Sequence, residues 1–283
     1  MKPQIKIFDT TMRDGELASG IKMNIQQKIA LAKLLEEMGI DIIEVGYPGA
    51  FQKDFEEIVM ISELVKNSII CGLASTNPKE ILSLAQALKS ASRGRIHLYT
   101  LVNLKELSAV DEKQVIEAIR ANIQLARNFC DDIEWSAFDA ARSQSDFLCK
   151  TVETAIAAGA TTVNIPDTLG SLLPKEFSSL IATIVNKVPN IDRATISVHC
   201  HDDLGLAVEN SLAALECGVR QIECSIHGLG ARKGNANLAA IAREIAKDDK
   251  YITNVNLDLI GAIEQLVSQI VKKKGQTNIA YPS

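Results

Sequence analysis

The sequence predicts an α/β protein built as a (β/α)8 barrel. Three observations predict it. Short apolar runs alternate with segments of helical periodicity eight times over. The eight units fill about 250 residues, the size and count of such a barrel. No glycine-rich GxGxxG follows the first strand, as the runner-up, a doubly wound open sheet, would usually show.

The strands are predicted at QIKIFDT (4–10), IDIIEVG (40–46), IICGLAS (69–75), RIHLYTL (95–101), DIEWSAF (132–138), TTVNIP (161–166), TISVHC (195–200) and RQIECSI (220–226). Helical periodicity runs between them over 25–39, 55–67, 78–90, 111–129, 145–159, 173–188, 205–218 and, after the last strand, 236–248. Gly39, Gly159 and Gly218 stand between a helix and the next strand, where a C-terminal cap needs a left-handed residue. Pro78 and Pro174 suit first-turn positions, where the missing N–H costs nothing. The pattern divides the chain into a barrel over 1–250 and a C-terminal part over 251–283: one more amphipathic helix, NLDLIGAIEQLVSQIVKK, and a polar tail. Lysines 272–274 close that helix, where cations oppose the negative end of its dipole.

Composition excludes several functions. Thirty basic against thirty-five acidic residues give a net charge of −5, without the basic face that nucleic acid or an anionic membrane requires. No apolar stretch approaches the roughly 20 residues of a membrane span, and Met1-Lys2-Pro3-Gln4 lacks signal-peptide character. The six cysteines (71, 130, 149, 200, 217 and 224) have no CxxC pairing and read as reduced thiols. A cytoplasmic protein with neither nucleic-acid nor membrane partners is expected.

The chemistry gathers at three strand ends. Alternation along TISVHCHDD turns His199 and His201 to one face and Cys200 to the other, so Cys200 is packing. Two of the chain's four histidines in one HxH suggest a metal site. In a barrel the C-terminal ends of strands 7, 8 and 1 adjoin. After strand 8 comes HGLGARKGNAN (227–237), and after strand 1 comes DTTMRDGE (9–16). Asp14 and Asn235 are placed to join the histidines in an open N2O2 ligand set. The alternative is that Asp14 caps its turn and Asn235 caps the last barrel helix. Trp135 reads as core.

Taken together, FDTTMRDGE, IDIIEVGYPG, VNIPDTLGSLLP, SVHCHDDLGLAVENSLAALECGVRQIECSIHGLG and KGNANL resemble the catalytic TIM barrel of the DRE-TIM metallolyases, from residue 5 to about 247. The 2-isopropylmalate, homocitrate and citramalate synthases fit better than 3-hydroxy-3-methylglutaryl-CoA lyase, whose loop before the final asparagine is longer and carries a cysteine. The resemblance implies that Asp14, His199, His201 and Asn235 hold a divalent metal (Mg2+, Mn2+ or Zn2+). It implies that Arg13 faces the oxygen that gains charge, that His97, Ser136 and Thr168 contact a 2-oxo acid, and that Glu44 lies near the reaction centre. The implied activity is Claisen-type condensation of acetyl-CoA with a 2-oxo acid, by an acyltransferase that is commonly a homodimer. A related aldolase or lyase acting on a hydroxy acid, or a metal-binding sensor barrel, is the alternative.

The chain departs from the synthase pattern at one mouth. Phe138 stands where a glutamate is usual, Leu17 replaces a glutamine and Ala231 a glutamate; the usually serine-rich stretch after strand 2 is PGAFQKDFE. Either the pocket suits a more apolar or differently shaped substrate, or the metal is kept and condensation is lost. If catalysis persists, the base comes from Glu44, Glu16, Asp139 or His97. Full-length isopropylmalate synthases continue into helical subdomains and often an amino-acid-sensing domain. This chain ends near where these begin, so the resemblance implies no feedback inhibition by an amino acid, whether the chain is a short enzyme or an excised domain.

Overall fold

A computed structural model describes residues 2–106 and 111–275. Eight parallel strands close into a barrel in chain order: β1 (Lys6–Asp9), β2 (Ile42–Gly46), β3 (Ile69–Ala74), β4 (Gly94–Leu101), β5 (Ile133–Phe138), β6 (Thr162–Asp167), β7 (Thr195–Cys200) and β8 (Gln221–Cys224). Closure runs through β1 and β8, from Lys6 beside Gln221 to Asp9 beside Cys224. The helices are α1 (Ile25–Glu37), α2 (Gln52–Leu64), α3 (Pro78–Ala87), α4 (Glu112–Arg127), α5 (Ser145–Ala158), α6 (Pro174–Lys187), α7 (Ala207–Leu215) and α8 (Leu238–Lys247), with α9 (Ile260–Gly275) after the barrel.

The strands read as apolar runs because their outward faces are the main core. Ile43, Val45, Ile70, Ile96, Leu98, Trp135, Val163, Ile165, Val198 and Ile222 are buried there with the helices. Each helix contributes a stripe at spacings of three and four; in α4 it is Val115, Ile116, Ile119, Ile123 and Ala126. Trp135 is core, as expected, with its indole N–H donating to Thr100 Oγ1 at 3.0 Å. Cys200 is buried on the outward face, where burial raises its thiol pKa.

Local chemistry sets the ends. Gly39, Gly159 and Gly218 all have positive φ, 84°, 115° and 100°, and a Cβ at Gly39 would meet the Asn254 carbonyl oxygen at 2.3 Å. Pro78 and Pro174 open α3 and α6. Capping boxes start α1 (Asn24 with Gln27) and α4 (Asp111 with Gln114). The start of α2 differs from the sequence pattern: it begins at Gln52, three residues earlier, behind Phe51, which offers no capping side chain. Its first turn is held instead by Asp54, whose carboxylate accepts from Tyr47 N–H at 2.7 Å.

The segment after the barrel packs back on it. Gln4 bridges Ile252, Asn256 N–H donates to the Met38 carbonyl at 2.8 Å, and α9 lies against α1. The lysine side chains at 272–274 and the tail from 276 lie outside the described residues. Among the described residues, no helix is long and apolar enough to cross a membrane.

Candidate active site and metal centre

The inward faces carry the polar residues, in layers. In the lowest, Arg95 donates to Glu134 and Gln221, both at 2.8 Å, and Gln221 donates to Ser197 at 3.0 Å. Arg95 is 1 % exposed, and burial with a neighbouring negative charge at Glu223 raises the Glu134 pKa against the pull of Arg95 and His97. This layer closes the barrel from below. Above it lie His97, Ser136, Asn164, His199, Glu44 and Glu223, and above those the cavity opens at the C-terminal strand ends.

The cavity measures about 330 Å³, and its walls include Arg13, Asp14, His97, Ser136, Thr168, His199 and His201. A larger hollow of about 840 Å³ lies at the opposite end, between α3 and α4. None of the sequence-predicted site residues lines it, so the smaller cavity is the candidate site.

Asp14, His199 and His201 come together as predicted, with one potential ligand atom from each lying within 4.8 Å of the others. The imidazole centroids are 4.8 Å apart. His199 Nδ1 donates to Glu223 Oε2 at 2.6 Å, and His201 Nδ1 to the Gly234 carbonyl at 3.2 Å. Each bond fixes the tautomer and leaves Nε2 with its lone pair. Burial and the neighbouring His199 lower the His201 pKa to about 4, so its ring is neutral at pH 7. Burial would lower His199, but Glu223 outweighs it and raises the pKa above 6.5.

Asn235 is the fourth corner. Its amide donates to Asp14 Oδ2 at 2.6 Å and to the Leu229 carbonyl at 2.9 Å, leaving a buried Oδ1 without a partner among the described residues. An orphaned buried oxygen beside a carboxylate and two imidazole Nε2 atoms is what a divalent cation satisfies. The donor set fits such a metal. Capping of α8 falls to Asn237, whose side chain accepts from Ala240 N–H, so Asn235 is free of that duty. The loop reaches this close only because residue 230 is glycine: a Cβ there would lie 2.4 Å from Asn235 Nδ2 and 2.9 Å from Asp14 Oδ2. Arg232, at φ 54°, pins the same loop by donating to Asp203 and to the Thr168 carbonyl.

Arg13 is held on two sides, its Nε donating to Glu44 Oε2 at 2.6 Å and its Nη1 to Asp14 Oδ1 at 2.8 Å. Burial would raise the Glu44 pKa, but Arg13 and the bond from His97 hold it down at about 2. Burial likewise opposes ionisation of Asp14, and Arg13 with the two histidines keeps its pKa low. Glu44 does not line the cavity. It stands behind Arg13 and His97, accepting from Thr10 at 2.7 Å and from His97 Nδ1 at 2.9 Å. His97 Nε2 faces Ser136 Oγ at 2.7 Å, and Asn164 donates to that hydroxyl at 2.8 Å. Burial would lower the His97 pKa; the Glu44 bond and the Glu223 charge raise it above 6.5.

Thr168 lines the cavity and accepts from Asp139 N–H at 3.0 Å. Two of the four candidate bases are turned away. Glu16 pairs with the buried Lys28 at 3.1 Å and accepts from Met23 N–H. Asp139, in the left-handed region at φ 66°, is held by Asn103 and Arg142. Of these departures, only Phe138 reaches the cavity; Leu17 is 59 % exposed, and neither Ala231 nor the stretch after strand 2 lines it. Sequence reasoning missed Glu223 and Asn164. Glu223 carried a signal: a carboxylate within a buried apolar strand, paired in register with His199.

The HMGL-like family profile matches residues 4–267. The chain belongs to the HMGL-like family. Within this family of DRE-TIM metallolyases, it is 46 % identical over 285 residues to 2-isopropylmalate synthase of Nitrobacter hamburgensis, covering 99 % of this chain and 55 % of that protein. It is 47 % identical over 247 residues to 2-isopropylmalate synthase of Afipia carboxidovorans, covering 86 % and 48 %. The HMGL-like chain thus spans about half the length of these curated relatives. Among solved structures, the HMG-CoA lyase from Brucella melitensis superposes with a TM-score of 0.80 at 20 % identity, covering 95 % of this chain and 99 % of that one. At that identity the likeness concerns the fold alone.

Proposed function

We propose that this chain is a metal-dependent acyltransferase of the 2-isopropylmalate synthase type, joining acetyl-CoA to a 2-oxo acid. One observation carries the reading: Asp14, His199, His201 and the unpartnered Asn235 oxygen converge beside Arg13 at the mouth of an HMGL-like barrel. Bound there, Mg2+, Mn2+ or Zn2+ would supply Lewis-acid polarisation of the keto group. Ser136 and Thr168, lining the cavity, orient the acid. Arg13 commits Nε and Nη1 to Glu44 and Asp14, so the guanidinium is fixed before substrate arrives, and Nη2 is left to receive the oxygen that gains charge. A preorganised donor of this kind contributes about 3–4 kcal/mol to the barrier reduction.

His97 takes the proton from the methyl group of acetyl-CoA. It lines the cavity, and ionised Glu44 accepts from its Nδ1, which keeps Nε2 available at the Ser136 hydroxyl. Glu44 therefore acts as a positioning residue for both Arg13 and His97. Hydrolysis of the thioester then makes the synthesis irreversible. Six free cysteines, four of them buried, support a cytoplasmic setting.

The test is thiol release from acetyl-CoA, followed with a chromogenic disulfide, in Mg2+ or Mn2+ against a panel of 2-oxo acids. Metal-dependent release with one acid, lost in His199→Ala, supports the synthase. Silence across the panel with metal still bound would refute it, leaving an aldolase of a hydroxy acid or a metal-binding sensor.

A further inference from the structure

The cavity has two unlike sides. Arg13, Asp14, His199, His201 and Glu223 come from the β7, β8 and β1 side, whereas Leu73, Tyr99, Phe138 and Pro166 come from β3, β4, β5 and β6. His97, Ser136, Asn164 and Thr168 line the cavity from this side too, and the four apolar residues beside them form the wall, with Phe138 at its edge 42 % exposed. The Phe138 ring meets Tyr99 edge-on, with centroids 6.0 Å apart. Tyr99 meets Tyr47 edge-on at 6.3 Å, and the Tyr47 hydroxyl donates to Glu80 Oε2 at 2.5 Å. The rings therefore form a file anchored at Glu80 and ending at the cavity. Edge-to-face packing of this kind fixes ring planes, which a lone aliphatic side chain does not do.

We infer that Leu73, Tyr99, Phe138 and Pro166 form a specificity wall, and that the acid bound in this cavity carries an uncharged, flat aromatic side chain. The inference rests on the reading of the cavity as a 2-oxo acid site and deepens it. With the oxo and carboxylate groups gripped at the metal end, the side chain of the acid extends across to the wall. Arg13 is the one Arg or Lys among the lining residues, and it is already paired with Glu44 and Asp14. A second carboxylate at the far end would lie against the Phe138 ring with no Arg or Lys partner among the described lining residues, which disfavours acids such as 2-oxoglutarate. A small acid would leave the rings wet. An aromatic side chain covers Phe138 and packs in the same edge-on manner, and such a ring pair changes affinity by roughly tenfold.

The experiment measures acid binding apart from turnover. Calorimetry in saturating Mn2+, without acetyl-CoA, compares phenylpyruvate, 2-oxoisovalerate, pyruvate and 2-oxoglutarate on the whole chain and on Phe138→Leu and Phe138→Ala. Phenylpyruvate should bind roughly tenfold more tightly than 2-oxoisovalerate, with 2-oxoglutarate weakest. Phe138→Leu, which keeps an apolar contact but removes the ring, should erase the advantage of phenylpyruvate while pyruvate binding stays within about twofold. Equal binding of 2-oxoglutarate and phenylpyruvate, or an advantage that survives both substitutions, would overturn the wall. Acid preference without thiol release from acetyl-CoA would leave the wall standing and refute condensation. Mn2+ binding with no acid binding would overturn both.

Discussion

Glu223 offers the sharpest test of the proposed metal centre, because it bonds one proposed ligand, His199, and is not itself one of the four. Its Oε2 accepts from His199 Nδ1 at 2.6 Å, and its Oε1 is buried without a hydrogen-bond partner. Glu223→Gln preserves shape and leaves a neutral oxygen to accept from the ring. A hydrogen bond to a charged group is worth about 1.5–3 kcal/mol, against about 1 for a neutral one. The substitution should thus remove about 0.5–2 kcal/mol from metal binding, a roughly 2- to 30-fold weaker Kd. Glu223→Ala removes the acceptor altogether and should weaken binding by about 10- to 100-fold. The deficit should depend on pH with a definite sign. Glu223 raises the His199 pKa above 6.5, so in the wild type a proton competes with the metal at and below that pKa. Without the charge the His199 pKa falls and the competition weakens, so the loss of affinity is largest at pH 8 and shrinks as pH falls towards 6. Titration of Mn2+ into metal-free protein by calorimetry at pH 6, 7 and 8, with thermal melting to verify folding, measures all of it. Wild-type affinity in Glu223→Ala at pH 8, or a deficit that grows on acidification, would refute the assignment of His199 as a ligand buttressed by Glu223.

His199→Ala and Asp14→Ala should each abolish metal-dependent thiol release, by at least about a hundredfold, and lower Mn2+ affinity in the same titration; retained turnover would sink the metal centre. Gly230→Ala should also weaken Mn2+ binding, because its Cβ would lie 2.4 Å from Asn235 Nδ2, although residue 230 supplies no ligand atom; metal affinity equal to wild type would contradict the packing argument. Thiol release should rise with pH through a pKa above 6.5, since His97 accepts a proton only when neutral and its pKa is raised in the fold. A pH profile that falls across that range would remove His97 as the base.

Much of this molecule was legible in its sequence, for one reason: in a barrel, strand position determines neighbours. His199 and His201 point into the barrel from β7, so partners for the proposed metal site were expected in the loops after β8 and β1, and the structure brings Asp14 and Asn235 there. Glu44 was legible as a site residue but not as one screened from the cavity by His97 and Arg13, because burial depth depends on which side chains reach further in. Glu16 was misjudged as a possible base since nothing local reveals that Lys28, a full helix start away, would be buried and draw it off at 3.1 Å. The start of α2 was missed for a related reason. Phe51 is no capping residue, and the stabilising carboxylate of Asp54 bonds back to Tyr47, a contact made by the turn itself.

The same geometry explains why the apolar runs concealed Glu223, Asn164 and Glu134. Each strand presents its hydrophobic residues outward to the helices, so the inward positions are relieved of building the main core. They are filled instead by a connected polar interior, in which Arg95, Glu134, Gln221 and Ser197 make up the floor and His97, Ser136 and Asn164 the level above. A polar interior tolerates substitution poorly, because removing one partner leaves another buried and unsatisfied. The mouth is under no such constraint. Phe138, Tyr99 and Leu73 stand at the cavity wall, clear of that network. A change in substrate is therefore accommodated most readily at the mouth, while the floor and the proposed metal ligands hold the chemistry in place. The ring at 138, the one sequence departure that reaches the cavity, falls on the side where that freedom exists.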